Sequence, residues 1–120
     1  MIVLLVEDDP DLRRVLEIVL EGHFEVRSCA NGGDGLRKLR TERVDVLLID
    51  LDLPGTGGEA LMHAARTGPR PPAIVVMSAN PARLESGRGL ADAVIAKPFP
   101  LAAVTAAVRR ALGCTEASGK

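Results

Sequence analysis

The chain contains no tryptophan, no tyrosine and only two phenylalanines. Proteins that hold single-stranded nucleic acids do so largely by stacking bases on aromatic rings, and that platform is missing. A basic run is missing too: 15 Lys and Arg face 16 Asp and Glu, for a formal net charge of -1. A nucleic-acid footprint needs a basic stripe, so the expectation is no direct contact with DNA or RNA. No apolar stretch approaches the roughly 20 residues of a membrane span. Met1 leads straight into an apolar run, without the charged region and cleavage site of a signal peptide. Cysteine is scarce: Cys29 and Cys114 lie far apart and follow no CxxC spacing. They suit free thiols in a reducing compartment, so a cytoplasmic protein with no membrane partner is expected.

What is present fits one domain. At 120 residues the chain can bury roughly two-thirds of its unfolded surface without disulfides or metal staples. Four apolar runs each end in a residue capable of phosphate or metal chemistry. Ile2 to Val6 runs into Glu7-Asp8-Asp9, and Val44 to Ile49 into Asp50. Ala73 to Met77 runs into Ser78, and Ala93 to Ala96 into Lys97. Continuous apolar runs rich in β-branched residues, separated by helix-patterned stretches, read as strands of a parallel sheet covered on both faces. A fifth strand, Phe24 to Ser28, alternates in polarity and suits a more exposed edge.

Between the strands, Leu12, Val15, Leu16, Val19 and Leu20 mark an amphipathic helix with Pro10 and Asp11 in its first turn. Gly32 to Arg40 predicts a weaker helix, burdened by Gly33 and Gly35. Leu51 to Gly58 is a loop, Glu59 to Arg66 a short helix, and Gly68 to Pro72 a stiff connection. Asn80-Pro81 starts a fourth helix that Gly87 and Gly89 interrupt. A final helix runs from Leu101 to Leu112, with Gly113 as its stop and Cys114 to Lys120 as a polar tail or linker stub. Five strands alternating with five helices make an α/β, doubly wound fold.

In such sheets ligands sit beyond the carboxyl ends of the strands. Glu7, Asp8, Asp50, Ser78 and Lys97 would all converge there. Adjacent carboxylates such as Glu7-Asp8 either cap a solvated turn or need a cation between them. With Asp50 on a neighbouring strand, three carboxylates make an oxygen-rich site that magnesium fits. A carboxylate is also a nucleophile that can take a phosphoryl group as an acyl phosphate. Ser78 and Lys97 could then hold phosphoryl oxygens.

Four ordered segments resemble the receiver domain of bacterial two-component response regulators: Val6 to Pro10, Asp50 to Gly55, Ser78-Ala79 and Lys97-Pro98-Phe99. The likeness covers residues 1–112, leaving 113–120 outside it. It implies a flavodoxin-like sheet in the order 2-1-3-4-5 and a phosphorelay role for a regulatory domain that is not an enzyme in its own right. Carried over by residue, Asp50 is the phosphoacceptor. Magnesium is held by Glu7, Asp8, Asp50 and the backbone carbonyl of Asp52. Ser78 is the switch hydroxyl and Lys97 the phosphoryl-binding lysine. The implied partners are a sensor histidine kinase or phosphotransfer protein as donor, and a downstream effector domain or protein.

Three departures concern the output rather than the acceptor site. The position that often carries an aromatic switch residue is Val94; the stretch from Ser78 to Lys97 is shorter than usual; and the final helix has no acid between Leu101 and Leu112. Two other classes stay open. Asp50-Leu51-Asp52 resembles the nucleophile motif of haloacid-dehalogenase-type phosphatases, and a receiver-shaped domain could bind partners without phosphorylation. His23 and His63 are expected on the surface, away from the strand ends.

Overall fold

A computed structural model describes residues 1–55 and 57–118, with side-chain surroundings through residue 113. Five strands alternate with five helices: β1 (Ile2–Val6), α1 (Pro10–Glu21), β2 (Glu25–Cys29), α2 (Gly32–Thr41), β3 (Val46–Asp50), α3 (Gly57–Thr67), β4 (Ala73–Ser78), α4 (Pro81–Gly87), β5 (Ala93–Ala96) and α5 (Leu101–Ser118). The strands form one parallel sheet in the order β2-β1-β3-β4-β5, as the resemblance implied.

Successive strand residues point to opposite faces, and both faces are covered. Val3, Leu5, Val46, Leu48, Val75 and Met77 pack with Leu16 and Leu20 of α1 and Val104 and Val108 of α5. Leu4, Val6, Leu47, Ile49, Ile74 and Val76 pack on the other side with Leu61 and Met62 of α3 and Leu84 of α4. This explains why β1, β3 and β4 are continuous apolar runs rather than alternating ones. Each such side chain contributes about 1.5–3 kcal/mol on burial. In β2, at the sheet edge, only Cys29 is buried.

Local chemistry fixes the helix starts. Asp9 caps α1 by accepting from the amides of Asp11 at 2.9 Å and Leu12 at 3.3 Å, and Pro10 opens the first turn. Asn31 caps α2 by accepting from Asp34 N at 2.8 Å. The fourth helix does form, in the seven residues up to Gly87, with Asn80 as its cap.

Gly113 is not a stop: α5 continues to Ser118. Glycine ends a helix by taking a left-handed conformation, and Gly55 is the one described residue with positive φ. The helix therefore runs through Gly113 into the segment expected to be a polar tail. The end of that segment, 119–120, and the side chain of Cys114 lie outside the described residues.

Candidate functional site

Register brings the chemistry together. Val6 pairs with Ile49, so Glu7 and Asp50 emerge side by side where β1 and β3 end. Asp50 pairs with Met77, and Ser78 with Ala96, so Ser78 and Lys97 flank the same point. Two backbone bonds extend the ladder past the strands: Leu51 N donates to Met77 O at 2.8 Å and Lys97 N to Ser78 O at 2.9 Å. The convergence expected from the apolar runs is thus a consequence of parallel pairing.

Asp50 is the centre of the cluster and is 2 % exposed. Its Oδ1 accepts from Asp52 N at 2.8 Å and its Oδ2 from Lys97 Nζ at 2.8 Å. Lys97 also stands 3.6 Å from Asp52 Oδ2 and 3.9 Å from Glu7 Oε1. Burial would lower the Lys97 pKa, but the hydrogen bond and charge of Asp50, with Glu7 and Asp52, outweigh it and raise it.

Glu7 is 1 % exposed and is the least well compensated member of the group. Its Oε2 accepts from Asp9 N at 3.2 Å, while its buried Oε1 has no hydrogen-bond partner among the described residues. Burial, then the neighbouring Asp50, pushes the Glu7 carboxyl from 4.5 up to about 8. A buried polar atom without a partner is rare and calls for an explanation. Ligand atoms of Glu7, Asp8 and Asp50 lie within 4.8 Å of one another, and Asp8 is exposed. An acidic, oxygen-only donor set with one orphaned buried oxygen fits a small hard cation.

All the residues expected at the site are therefore assembled, with one difference of emphasis. Asp52 was expected to matter through its carbonyl, yet its carboxylate is also heavily engaged. It accepts from Ser78 Oγ at 2.5 Å, Ala79 N at 2.8 Å and Arg83 Nη1 at 3.1 Å. Burial would raise its pKa; these three donors, with the charge of Lys97, lower it instead. Arg83 has no mark in the sequence, being 31 positions from its partner. Asp52 could have been suspected, since it lies two residues beyond Asp50.

Val94 is half-buried in β5 and packs on the layer containing Leu84, beside Val76. His23 and His63 are exposed, as expected. No described helix is long and apolar enough to cross a membrane.

The fold and site define a class: a doubly wound α/β domain with carboxylates, a hydroxyl and a lysine at the carboxyl ends of its strands. Residues 3–109 match the family model of the response regulator receiver domain. The chain is 38 % identical over 107 residues to the transcriptional activator protein PfeR of Pseudomonas aeruginosa, covering 86 % of this chain and 35 % of that protein. It is 35 % identical over 114 residues to the DNA-binding response regulator MtrA of Mycolicibacterium smegmatis, covering 92 % and 50 %. The chain thus spans a third to a half of the length of these relatives. A response regulator receiver domain from Methanospirillum hungatei superposes with a TM-score of 0.86 at 25 % identity, covering 98 % of this chain and 97 % of that one. The regulator TrrA of Thermotoga maritima, solved in complex with Mg2+-BeF, shares the fold with a TM-score of 0.82 at 23 % identity, covering 92 % and 97 %. The chain belongs to the response regulator receiver domain family, a regulatory domain of two-component signalling.

Proposed function

We propose that Asp50 is the phosphoacceptor of this domain, taking a phosphoryl group from a phosphohistidine on a sensor kinase or phosphotransfer protein. The observation that carries this is the pairing of a buried Asp50 with Lys97 beside an orphaned Glu7 oxygen. A carboxylate oxygen of Asp50 attacks phosphorus, the P–N bond of the donor breaks, and the imidazole keeps the electron pair. Lys97 moves its ammonium from Asp50 to the transferred phosphoryl, and the Ser78 hydroxyl donates to a second phosphoryl oxygen. Glu7, Asp8, Asp50 and the carbonyl of Asp52 are the residues that would hold magnesium. When bound, that ion offsets the repulsion between the carboxylates and the phosphoryl oxygens.

The same groups assist the domain's own phosphorylation and the hydrolysis that resets it. The modified surface is read by an effector domain or protein, in the cytoplasm and without direct nucleic-acid contact by this domain. Intact-mass measurement after incubation with acetyl phosphate tests the assignment. Wild type should gain one phosphoryl group only with magnesium, and Asp50→Asn should gain none. Labelling retained in Asp50→Asn would move the nucleophile, with Asp52 as the next candidate.

A further inference from the structure

Two residues past the acceptor, the Asp52 side chain reaches back to the end of β4 and to α4. Its Oδ1 accepts from the Ser78 hydroxyl at 2.5 Å and from Arg83 Nη1 at 3.1 Å. Its Oδ2 accepts from Ala79 N at 2.8 Å and lies 3.6 Å from Lys97 Nζ. Ser78 and Lys97 are the groups assigned above to the phosphoryl oxygens. Before phosphorylation they are already shared with a resident anion.

Arg83 extends this arrangement into the output side of the fold. It sits in the first turn of α4, and Asp52 is its one ion-pair partner among the described residues. The turn into α4 does not depend on Asp52 for its caps. Asn80 accepts from Ala82 N at 2.9 Å, and Asn80 N donates to Ser78 Oγ at 2.9 Å. The carboxylate of Asp52 is therefore surplus to the local turn and acts between elements. Charge-assisted hydrogen bonds of this kind are about twice as strong as neutral ones.

We propose that Asp52 is a positioning residue that latches the resting state, keeping the Ser78 hydroxyl and, through Arg83, the start of α4 on itself. Phosphorylation then works by exchange. The Ser78 O–H passes from the Asp52 carboxylate to a phosphoryl oxygen, Lys97 turns to the same group, and Asp52 is left with fewer donors. Arg83 loosens with it, and α4, still capped by Asn80, loses its tether to Asp52. This rests on the acceptor role given to Asp50, but the latch itself exists in the unphosphorylated protein and can be tested there.

The test compares wild type, Asp52→Ala, Asp52→Asn, Arg83→Ala and the Asp52→Ala/Arg83→Ala double variant by amide hydrogen exchange and NMR. Each is measured first without ligand and then with magnesium and beryllium trifluoride. In ligand-free Asp52→Ala the Ala79 amide should exchange at least about tenfold faster than in wild type. Resonances from Ser78 to Leu84 should move along the line joining the free and beryllofluoride-bound wild-type positions. Asp52→Asn and Arg83→Ala should move part of the way on that line, and the double variant no further than Asp52→Ala. Unchanged Ala79 exchange, or shifts off that line, would make Asp52 a local turn acid and overturn the proposal. If wild type gives no response to beryllofluoride, the acceptor assignment fails instead, and the ligand-free shifts decide the latch. Shared displacements at Ser78 and in α4 in Asp52→Ala and Arg83→Ala, no larger in the double variant, support it, and independent additive shifts overturn it.

Discussion

Lys97 Nζ donates to Asp50 Oδ2 at 2.8 Å, joining two residues that are 47 positions apart and close two different strands. Asp50 is almost fully buried and the Lys97 side chain is 20 % exposed, so the ammonium is the principal compensation for the charge of Asp50. Removing one partner of such a pair leaves an uncompensated carboxylate in a poorly solvated place. Lys97→Met should therefore destabilise the metal-free protein by about 1–3 kcal/mol, less than the full buried-pair penalty because the lysine is partly solvated. In the Asp50→Asn background the same substitution should cost much less. Urea unfolding followed by circular dichroism reads both, since the chain has no tryptophan for fluorescence. Additivity of the two substitutions to within about 0.5 kcal/mol would mean that the contact carries no energy.

Glu7 gives the protein an unusual pH dependence. Its carboxyl titrates at about 8 when folded, against 4.5 as the ordinary value, because burial and Asp50 disfavour the charge. Between those values the folded chain holds a proton that the unfolded chain has lost. Stability from this group is therefore greatest at low pH, declines as pH rises, and levels off above about 8. The slope contributed is at most about 1.4 kcal/mol per pH unit. Glu7→Gln should remove this component, so the difference between the two stability curves isolates it. Magnesium needs the carboxylate, so its stabilising effect on wild type should grow across the same interval. Parallel pH profiles for wild type and Glu7→Gln would contradict the assignment.

Much of this was legible in the chain because parallel sheets convert sequence position into spatial position. Each apolar run ends at the same edge, so the sequence alone places Glu7, Asp50, Ser78 and Lys97 together. What was hidden depends on side-chain direction and on distant partners. The orphaned Glu7 oxygen follows from burial, which a Glu-Asp-Asp run does not reveal. The Asp52–Arg83 pair joins a loop to a helix 31 positions on, a contact that neither segment marks by itself. Gly113 does not end α5, because composition marks where a helix can end and only backbone conformation says where it does.

Val94 limits how the domain can relay a change at Ser78. Its side chain is β-branched and stiff at χ1, and it packs against the core layer beneath α4. A ring-sized inward movement is not available at this position. The response to a phosphoryl mimic should then pass mainly through the Ser78 to Leu90 segment, which contains a helix of only seven residues. Magnesium with beryllium trifluoride should shift amide resonances strongly from Ser78 to Leu90 and weakly from Leu101 to Leu112. Ser78→Ala should bind the mimic but lose most of that response. Largest changes in α5 would place the relay on the other face of β5.

The glycines of α2 separate packing from helix propensity. A Cβ at Gly35 would lie 2.9 Å from Leu61 Cδ2 and 3.2 Å from Val6 Cγ2, wedged between α3 and the sheet. A Cβ at Gly33 would meet only Asn31 Oδ1, at an ordinary 3.5 Å. Alanine gains up to about 1 kcal/mol over glycine inside a helix, while overpacking a core contact costs about 1–3 kcal/mol. At Gly35 the steric cost exceeds the propensity gain, so Gly35→Ala should lower stability by about 1–2 kcal/mol. At Gly33 nothing opposes the gain, and Gly33→Ala should raise stability by about 0.5 kcal/mol, damped by its place in the first turn. Thermal and urea unfolding of the two variants decide the matter. Equal and positive effects at both positions would mean that α2 and α3 do not approach through Gly35, and that its glycine serves no packing purpose.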